Sequence, residues 1–455
     1  MSILTELAMS KKLITRTAVI TGLFTLAPAF AVDLVGIHDL SLKDDPQLAA
    51  AALRRDAIAE NERQAWSGLL PTLSGSAGLA RGDSQTDIRG VTVSDSDIDT
   101  EDWGFSLFQT LYDQANYERL DIGRAQRSQG EAIYQLAYQD FLVRVAAAYF
   151  NVLTAQDRVI TAEAEERALQ RQFEQAEQRF EVGLTAVTDV HEARATYDNA
   201  RARAIVERNQ LADAREALRE LSGEYFEELD PLQEELPLVT PEPNDMEEWV
   251  EIALANNPAV QSAQYAVDVA DANARLQRTG HFPTLRLNAS YQDFTNNNFV
   301  GDPTDVINST GLENEELRYG VQLNVPIYQG GFVSSRTRQA RYELGAVQQD
   351  LDSQQRFTVR TARDAFRAVI AGVEQVQAFG QARISAESAL QATQAGFEVG
   401  TRTIVDVLIA EQRFYQAERD NSTARHTYIV DHLRLKAAAG VLSTEDLQAV
   451  NSILD

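Results

Sequence analysis

Apolar and polar residues alternate at strand period in two stretches. Leu285, Leu287, Ala289 and Tyr291 alternate with Arg286, Asn288, Ser290 and Gln292, and Leu317, Tyr319, Val321, Leu323, Val325 and Ile327 alternate with Arg318, Gly320, Gln322, Asn324 and Pro326. Each stretch predicts a strand that is greasy on one face and wet on the other. A softer version stands earlier, with Leu73, Gly75, Ala77 and Leu79 in one strand and Trp103, Phe105, Leu107 and Leu111 in the next. Each runs about 10 to 12 residues, close to the roughly 9 to 11 that a tilted strand needs to cross a bilayer. The segments Arg81 to Asp102 and Asp293 to Glu316 are rich in Asp, Ser and Asn and read as polar loops between paired strands. Half-buried antiparallel strands also occur in soluble sandwiches, so alternation alone does not place these in lipid. If they span a membrane, four strands cannot close a barrel whose minimum is about eight, and lipid forbids open edges. Several chains must then share one barrel. Two copies give eight strands and three give twelve, and periodicity does not choose.

After each strand pair the pattern changes to helix. From Asn116 to about Phe180 the Ala, Gln, Glu and Arg content suits one long helix, and some 65 residues at about 1.5 Å each would reach about 100 Å. Beyond Gly183, residues Val190, Ala193, Tyr197, Ala200, Ala204, Leu211, Ala214, Leu218 and Leu221 fall at spacings of three and four, with Glu207 as a polar interruption. The second half repeats this with Val407, Ala410, Phe414, Ala417, Ala424, Tyr428, Leu435 and Ala438. Alanine-rich heptads allow close packing, so each segment after a glycine turn should run back antiparallel against the long helix before it. A structural coiled coil would explain these heptads equally well, but not the strands.

The chain is one unit written twice. Gly68, Pro71, Thr72 and Leu73 recur a little over two hundred residues later as Gly280, Pro283, Thr284 and Leu285. Phe180, Val182, Gly183, Asp189 and Val190 recur as Phe397, Val399, Gly400, Asp406 and Val407. Between the copies, Pro231, Pro237, Pro241 and Pro243 exclude regular helix. The expected organisation is a first repeat over 32–228, a linker or equatorial segment over 229–244 and a second repeat over 245–455. Residues 1–31 read as a signal peptide, with Lys11, Lys12 and Arg16 before an apolar run and Ala29-Phe30-Ala31 as the cleavage site. Beyond Ala31 no apolar run approaches the roughly 18 to 20 residues of a spanning helix, so a membrane role must use strands.

Composition narrows the chemistry. The 455 residues carry 41 Lys and Arg against 68 Asp and Glu, a net charge of −27 that disfavours nucleic acid and anionic membrane surfaces. The absence of cysteine excludes disulfides, thiolate metal sites and a cysteine nucleophile. His426 and His432 lie six apart, off one helical face and without companions at ligand spacing, and read as surface residues. The Tyr328-Gln329-Gly330-Gly331 turn lacks the lysine of a phosphate loop. No nucleophile and base can be paired, so neither catalytic residues nor a cofactor nor a metal is expected.

The segments FEVGLTAVTDV (Phe180 to Val190), FEVGTRTIVDVL (Phe397 to Leu408), AYFNVL (Ala148 to Leu153), GHFPTLRLNASY (Gly280 to Tyr291) and LNVPIYQGG (Leu323 to Gly331) together resemble the TolC family of outer-membrane efflux ducts of Gram-negative bacteria. The likeness covers the whole mature chain in order, duplication included. It implies a mixed α/β membrane protein, a homotrimer sharing one 12-stranded transmembrane β-barrel with four strands per chain. Below the barrel, a long antiparallel α-helical coiled-coil tunnel would cross the periplasm. The implied function is the outer-membrane exit duct of tripartite efflux pumps and type I secretion, conducting drugs, small amphipathic compounds and proteins. The rival readings are an outer-membrane diffusion porin and a periplasmic structural coiled-coil protein. A porin needs many more strands, and a coiled-coil scaffold needs none.

Residue by residue, the resemblance makes Val182, Gly183 and Leu184 with Val399, Gly400 and Thr401 the periplasmic tips gripped by an adaptor, or membrane fusion protein. That adaptor would link the duct to an inner-membrane translocase of the RND, ABC or MFS type. It implies a gate latch of Asp189, Thr188, Phe397 and Arg402, with Phe397 where the family's best-known member has tyrosine. Asp406 would form a constriction ring whose three copies raise one another's pKa, and Ile409 stands where the family has a second acidic ring.

Overall fold

The computed structural model describes residues 32–88, 91–300 and 312–454. The expected signal peptide lies outside the described residues. The elements are α1 (Leu34–Asp44), α2 (Pro46–Ser67), β1 (Thr72–Ile88), β2 (Val91–Tyr112), α3 (Gln114–Glu181) and α4 (Val187–Ser222), followed by α5 (Met246–Asn256), α6 (Pro258–Arg278), β3 (Thr284–Val300), β4 (Leu312–Asn324), α7 (Phe332–Glu398), α8 (Ile404–Ala438) and α9 (Thr444–Asn451). The order helix, helix, strand, strand, long helix, shorter helix therefore runs twice, with α3 at 68 residues and α7 at 67. Side-chain caps start many of these helices. Asp45 accepts from the Gln47 amide ahead of Pro46 and Asp113 from Ala115, while Thr403 and Asp406 form a reciprocal capping box.

The strands form one antiparallel sheet in the order β1-β2-β3-β4. Leu73, Leu107, Ala289 and Tyr319 make one row across it, and Gly75, Phe105, Tyr291 and Leu317 the next on the same face. Ser74, Ser106, Ser290 and Arg318 line the opposite face, where the Ser74 and Ser106 hydroxyls lie 2.7 Å apart. The expected polar loops are a correction: pairing continues to Ile88↔Val91 in the first hairpin and to Asn296↔Leu312 in the second. An antiparallel ladder is held by backbone groups and needs no apolar side chain, so it carries on after the greasy alternation stops.

The long helices α3 and α7 leave the sheet and run away from it for about 100 Å at 1.5 Å per residue. On the sheet side, α2 packs on α3 and α6 lies between α3 and α7; on the far side α4 returns along α3 and α8 along α7 and α3. The α2–α3 approach is close, since a Cβ on Gly123 would stand 2.9 Å from the Glu62 Cα. Among the described residues no helix is long and apolar enough to cross a membrane.

The thick core sits at mid-length. Phe141, Leu142, Val145, Tyr149 and Phe150 of α3 meet Leu34 of α1, Trp249 of α5, Val369 of α7, Leu433 of α8 and Leu447 of α9. The proline-rich stretch packs on this girdle: the Tyr149 hydroxyl donates to the Asp230 carbonyl at 2.8 Å, and the Tyr428 hydroxyl donates to the Val239 carbonyl at 2.8 Å. His426 belongs to the same layer and is buried, which corrects its reading as a surface residue. Its Nδ1 lies 2.9 Å from Thr154 Oγ1, whose own hydrogen goes to the Phe150 carbonyl, so Nδ1 carries the proton.

Candidate functional site

The far ends of α3 and α7 close in the same backbone motif. Val182, Gly183 and Leu184 donate their amides to the carbonyls of Gln178, Phe180 and Arg179, and Val399, Gly400 and Thr401 donate theirs to Ala395, Phe397 and Gly396. Gly183 has φ +76° and Gly400 φ +79°, with open space around both, so the left-handed backbone alone demands glycine. The turns leave Val182, Leu184 and Val399 about 70% exposed or more, at 69%, 74% and 75%. Exposed apolar side chains of this kind at a loop tip suit a protein contact.

Behind the turns lies a small core of Leu169 and Ala176 from α3, Ala193 and Ala200 from α4, and Ile404 and Leu408 from α8. Phe397 packs against this cluster, and the Arg179 guanidinium lies over its ring, 4.5 Å from the centroid. The two hairpins of one chain are therefore joined at the tip by residues of α3 and α7. Asp189, in the first turn of α4, accepts a hydrogen bond from the Thr185 hydroxyl, and Thr188 beside it is exposed. Arg402 is exposed, and among the described residues no carboxylate of the same chain lies within ion-pair distance of it. The structure thus places Asp189 and Arg402 at the same end of the molecule without pairing them within one chain.

Asp406 is the closing half of the α8 capping box. Its Oδ2 accepts from the Thr403 amide and hydroxyl, each at 2.9 Å, and its own amide donates back to Thr403 Oγ1 at 3.3 Å. The Thr403 amide and then its hydroxyl hold the Asp406 carboxyl below its ordinary value, with Arg402 adding to the effect. Within one chain this carboxyl is pulled down, opposite in sign to the rise expected from a ring of three. Ile409, one turn on, is 42% exposed.

Above the tip, a polar seam crosses from α8 to α3 that heptad counting does not flag. Glu165 of α3 is 1% exposed and accepts from Arg203 of α4 at 2.7 and 2.8 Å and from Arg419 of α8 at 2.8 Å. Tyr415 donates to the Ala164 carbonyl at 3.3 Å, and Glu411 is buried opposite Gln172. The signal was present: Glu165 stands three residues from both Ala162 and Ala168, so it interrupts an apolar stripe as Glu207 does. Among the described residues no group of His, Asp or Glu is placed to hold a metal ion.

Comparison with known proteins agrees with this architecture. The model of the outer membrane efflux protein family matches residues 37–224 and 249–441. The chain is 38% identical over 432 residues to the outer membrane protein TolC of Vibrio cholerae serotype O1, covering 95% of this chain and 96% of that one. It is 32% identical over 427 residues to the alkaline protease secretion protein AprF of Pseudomonas aeruginosa, covering 93% and 87%. The fold matches the crystal structure of the Campylobacter jejuni CmeC outer membrane channel with a TM-score of 0.75 at 16% identity, covering 93% of this chain and 90% of that one.

Proposed function

Because this chain belongs to the outer membrane efflux protein family, we propose that three identical copies assemble into its duct, each supplying a third of the wall. The protein is an exit duct of the Gram-negative outer membrane that serves efflux and type I secretion. The observation that carries the trimer reading is the sheet, which among the described residues pairs only β1-β2, β2-β3 and β3-β4 and carries its apolar rows on one face. In lipid the free edges of β1 and β4 must find partners, and β4 of one copy can pair with β1 of the next until the ring closes. Three copies give twelve strands. The tunnel follows the same arithmetic, because four helices per chain stand at each level: α2, α3, α6 and α7 near the sheet, and α3, α4, α7 and α8 near the tip.

Passage is passive and controlled at the tip. Arg402 of one copy faces Asp189 and Thr188 of its neighbour and forms a charge-assisted latch, directional but partly screened. Asp406 and Ile409 line the narrowing behind it, an acidic ring followed by an apolar one. A periplasmic adaptor grips Val182 to Leu184 and Val399 to Thr401 and pulls the hairpins apart. An inner-membrane translocase of the RND, ABC or MFS class supplies cargo and energy, and the duct supplies neither.

The test is the mass of the detergent-purified protein together with its conductance in planar bilayers. A particle of three chains with a low-conductance resting state supports the reading. A monomer that is water-soluble without detergent overturns it. Deleting the gene should raise drug sensitivity and abolish export of a secreted protease by a type I system.

A further inference from the structure

Glu411 is a carboxylic acid enclosed where α8 meets α3 and α7, and it is 3% exposed. One oxygen, Oε1, accepts from Gln172 Nε2 of α3 at 3.2 Å and from Gln394 Nε2 of α7 at 3.4 Å. The other, Oε2, has no partner among the described residues, and neither has the amide oxygen of Gln172. This arrangement suits a neutral acid better than an anion. A carboxylate would leave a buried, charged oxygen with no donor, which is costly. A protonated carboxyl has an acceptor at hand, because turning over the Gln172 amide puts its unpartnered oxygen where its nitrogen now stands.

We propose that Glu411 is a gating residue: while it holds its proton, α8 stays seated against α3 and α7, and when it loses the proton α8 is driven off its seat and the tip is biased toward opening. The proposal rests on the reading of the tip as the gate. Every element packed against Glu411 bears on its charge. Helix α3 presents Arg171, Glu165 and the neutral Gln172, helix α7 the neutral Gln394, and α8 itself the Tyr415 hydroxyl. The charge of Glu165 is already taken by Arg203 and Arg419 two helical turns away. Glu165 is therefore a fixed clamp between the hairpins, and Glu411 is the group near it, on the tip side, whose charge can change.

Burial lifts the Glu411 carboxyl above the ordinary carboxylate value, the two glutamine amides and Arg171 pull it partly back, and Glu165 pushes it up again. The packed state then binds the proton more tightly than an open state in which Glu411 meets water. Packing is favoured at low pH and weakens as pH rises from the ordinary carboxylate value through the raised one. A duct with this residue leaks least in acid.

The experiment is resting conductance of the reconstituted trimer as the pH of the chamber bathing the tip is taken from about 5 to about 8, a window reaching several units above an ordinary glutamate. The variants are Glu411→Gln, an isosteric stand-in for the protonated acid, and Arg402→Ala as a control on the gate. The wild type should rise several-fold in open probability across this range, and Glu411→Gln should stay low and flat. If Arg402→Ala raises resting conductance but Glu411→Gln keeps the wild-type pH profile, Glu411 is not the control and the proposal falls. If Arg402→Ala leaves conductance unchanged as well, the reading of the tip as the gate falls with it. Trimer mass and helical content of Glu411→Gln, unchanged from wild type, separate this outcome from misfolding.

Discussion

The guanidinium of Arg179 lies 4.5 Å from the centre of the Phe397 ring, so the last turn of α3 is bound to the last turn of α7 inside one chain. A phenylalanine offers no hydroxyl for a latch, but its face attracts a cation, and at a half-exposed site such a contact contributes about 1 kcal/mol. Arg179→Ala should therefore shift the closed-to-open balance of the tip by roughly fivefold, read as a higher resting conductance in planar bilayers. Arg179→Lys should recover part of it, whereas equal conductance in all three proteins would show that the contact is not part of closure.

Asp406 closes the capping box of α8, and one substitution tests whether it also faces the pore. Asp406→Asn keeps an oxygen for the Thr403 amide but loses the charge that faces the start of α8, at a cost of about 0.5 to 1 kcal/mol in helix stability. If three copies of Asp406 line the constriction, the same change should also weaken cation selectivity, measured as a reversal potential nearer zero in a salt gradient. A reversal potential identical to wild type would move Asp406 away from the pore.

The register of the sheet makes a sharper test. Leu317 sits in the apolar row with Gly75, Phe105 and Tyr291, while Gln322 lies on the other face, paired with Arg286. Leu317→Arg puts a charge toward lipid at about 2 to 4 kcal/mol if it lies near the bilayer midplane, whereas Gln322→Arg faces water inside the barrel and should be tolerated. The readout is the yield of assembled trimer in the outer membrane. Equal losses for both would mean that the greasy face has been assigned to the wrong side.

What is legible in the sequence depends on period. The two-residue alternation at Leu285 to Tyr291 and Leu317 to Ile327 marked strands and their faces, and the spacings after Gly183 marked returning helices, because these patterns are the packing itself. The strand ends could not be read. The Asp- and Ser-rich stretch from Arg81 to Asp102 holds only scattered apolar residues, yet its backbone pairs from Arg81↔Asp99 to Ile88↔Val91 with one register irregularity after Thr86. Proximity between remote segments was equally invisible: nothing local links Glu165 to Arg419, or Arg179 to Phe397. The burial of His426 is illegible in the sequence for a related reason. That burial comes from Phe150 and Thr154 of α3, which are remote from His426 in sequence and meet it only when α8 packs along α3.

Glu165 offers a stability prediction with a clear mechanism. Glu165→Gln leaves the guanidiniums of Arg203 and Arg419 facing a single neutral acceptor, and breaking one side of a buried ion pair costs about 3 kcal/mol. The detergent-purified protein should lose helical circular dichroism at a lower temperature. Because Arg419 is the more buried of the two arginines, Arg203→Gln should cost less, and the reverse order would contradict the clamp.

His426 should give the molecule an acid sensitivity opposite in sign to that of Glu411. Burial pushes its imidazole down to about 4, with Arg425 adding to the shift. The folded protein thus binds fewer protons here than the unfolded chain, whose histidine titrates near 6.5. In the window between those values stability rises with pH, so His426 contributes most above about 6.5 and its contribution is lost as pH falls to about 4. At about 1.4 kcal/mol per pKa unit the loss is on the order of 3 kcal/mol. His426→Gln, which cannot be protonated, should flatten the fall in thermal stability between neutral pH and pH 4.5. It should leave the conductance profile of the tip intact, because His426 lies in the mid-length girdle and Glu411 nearer the turns. Should the variant lose stability in acid as steeply as the wild type, the buried neutral imidazole is not the acid-sensitive group.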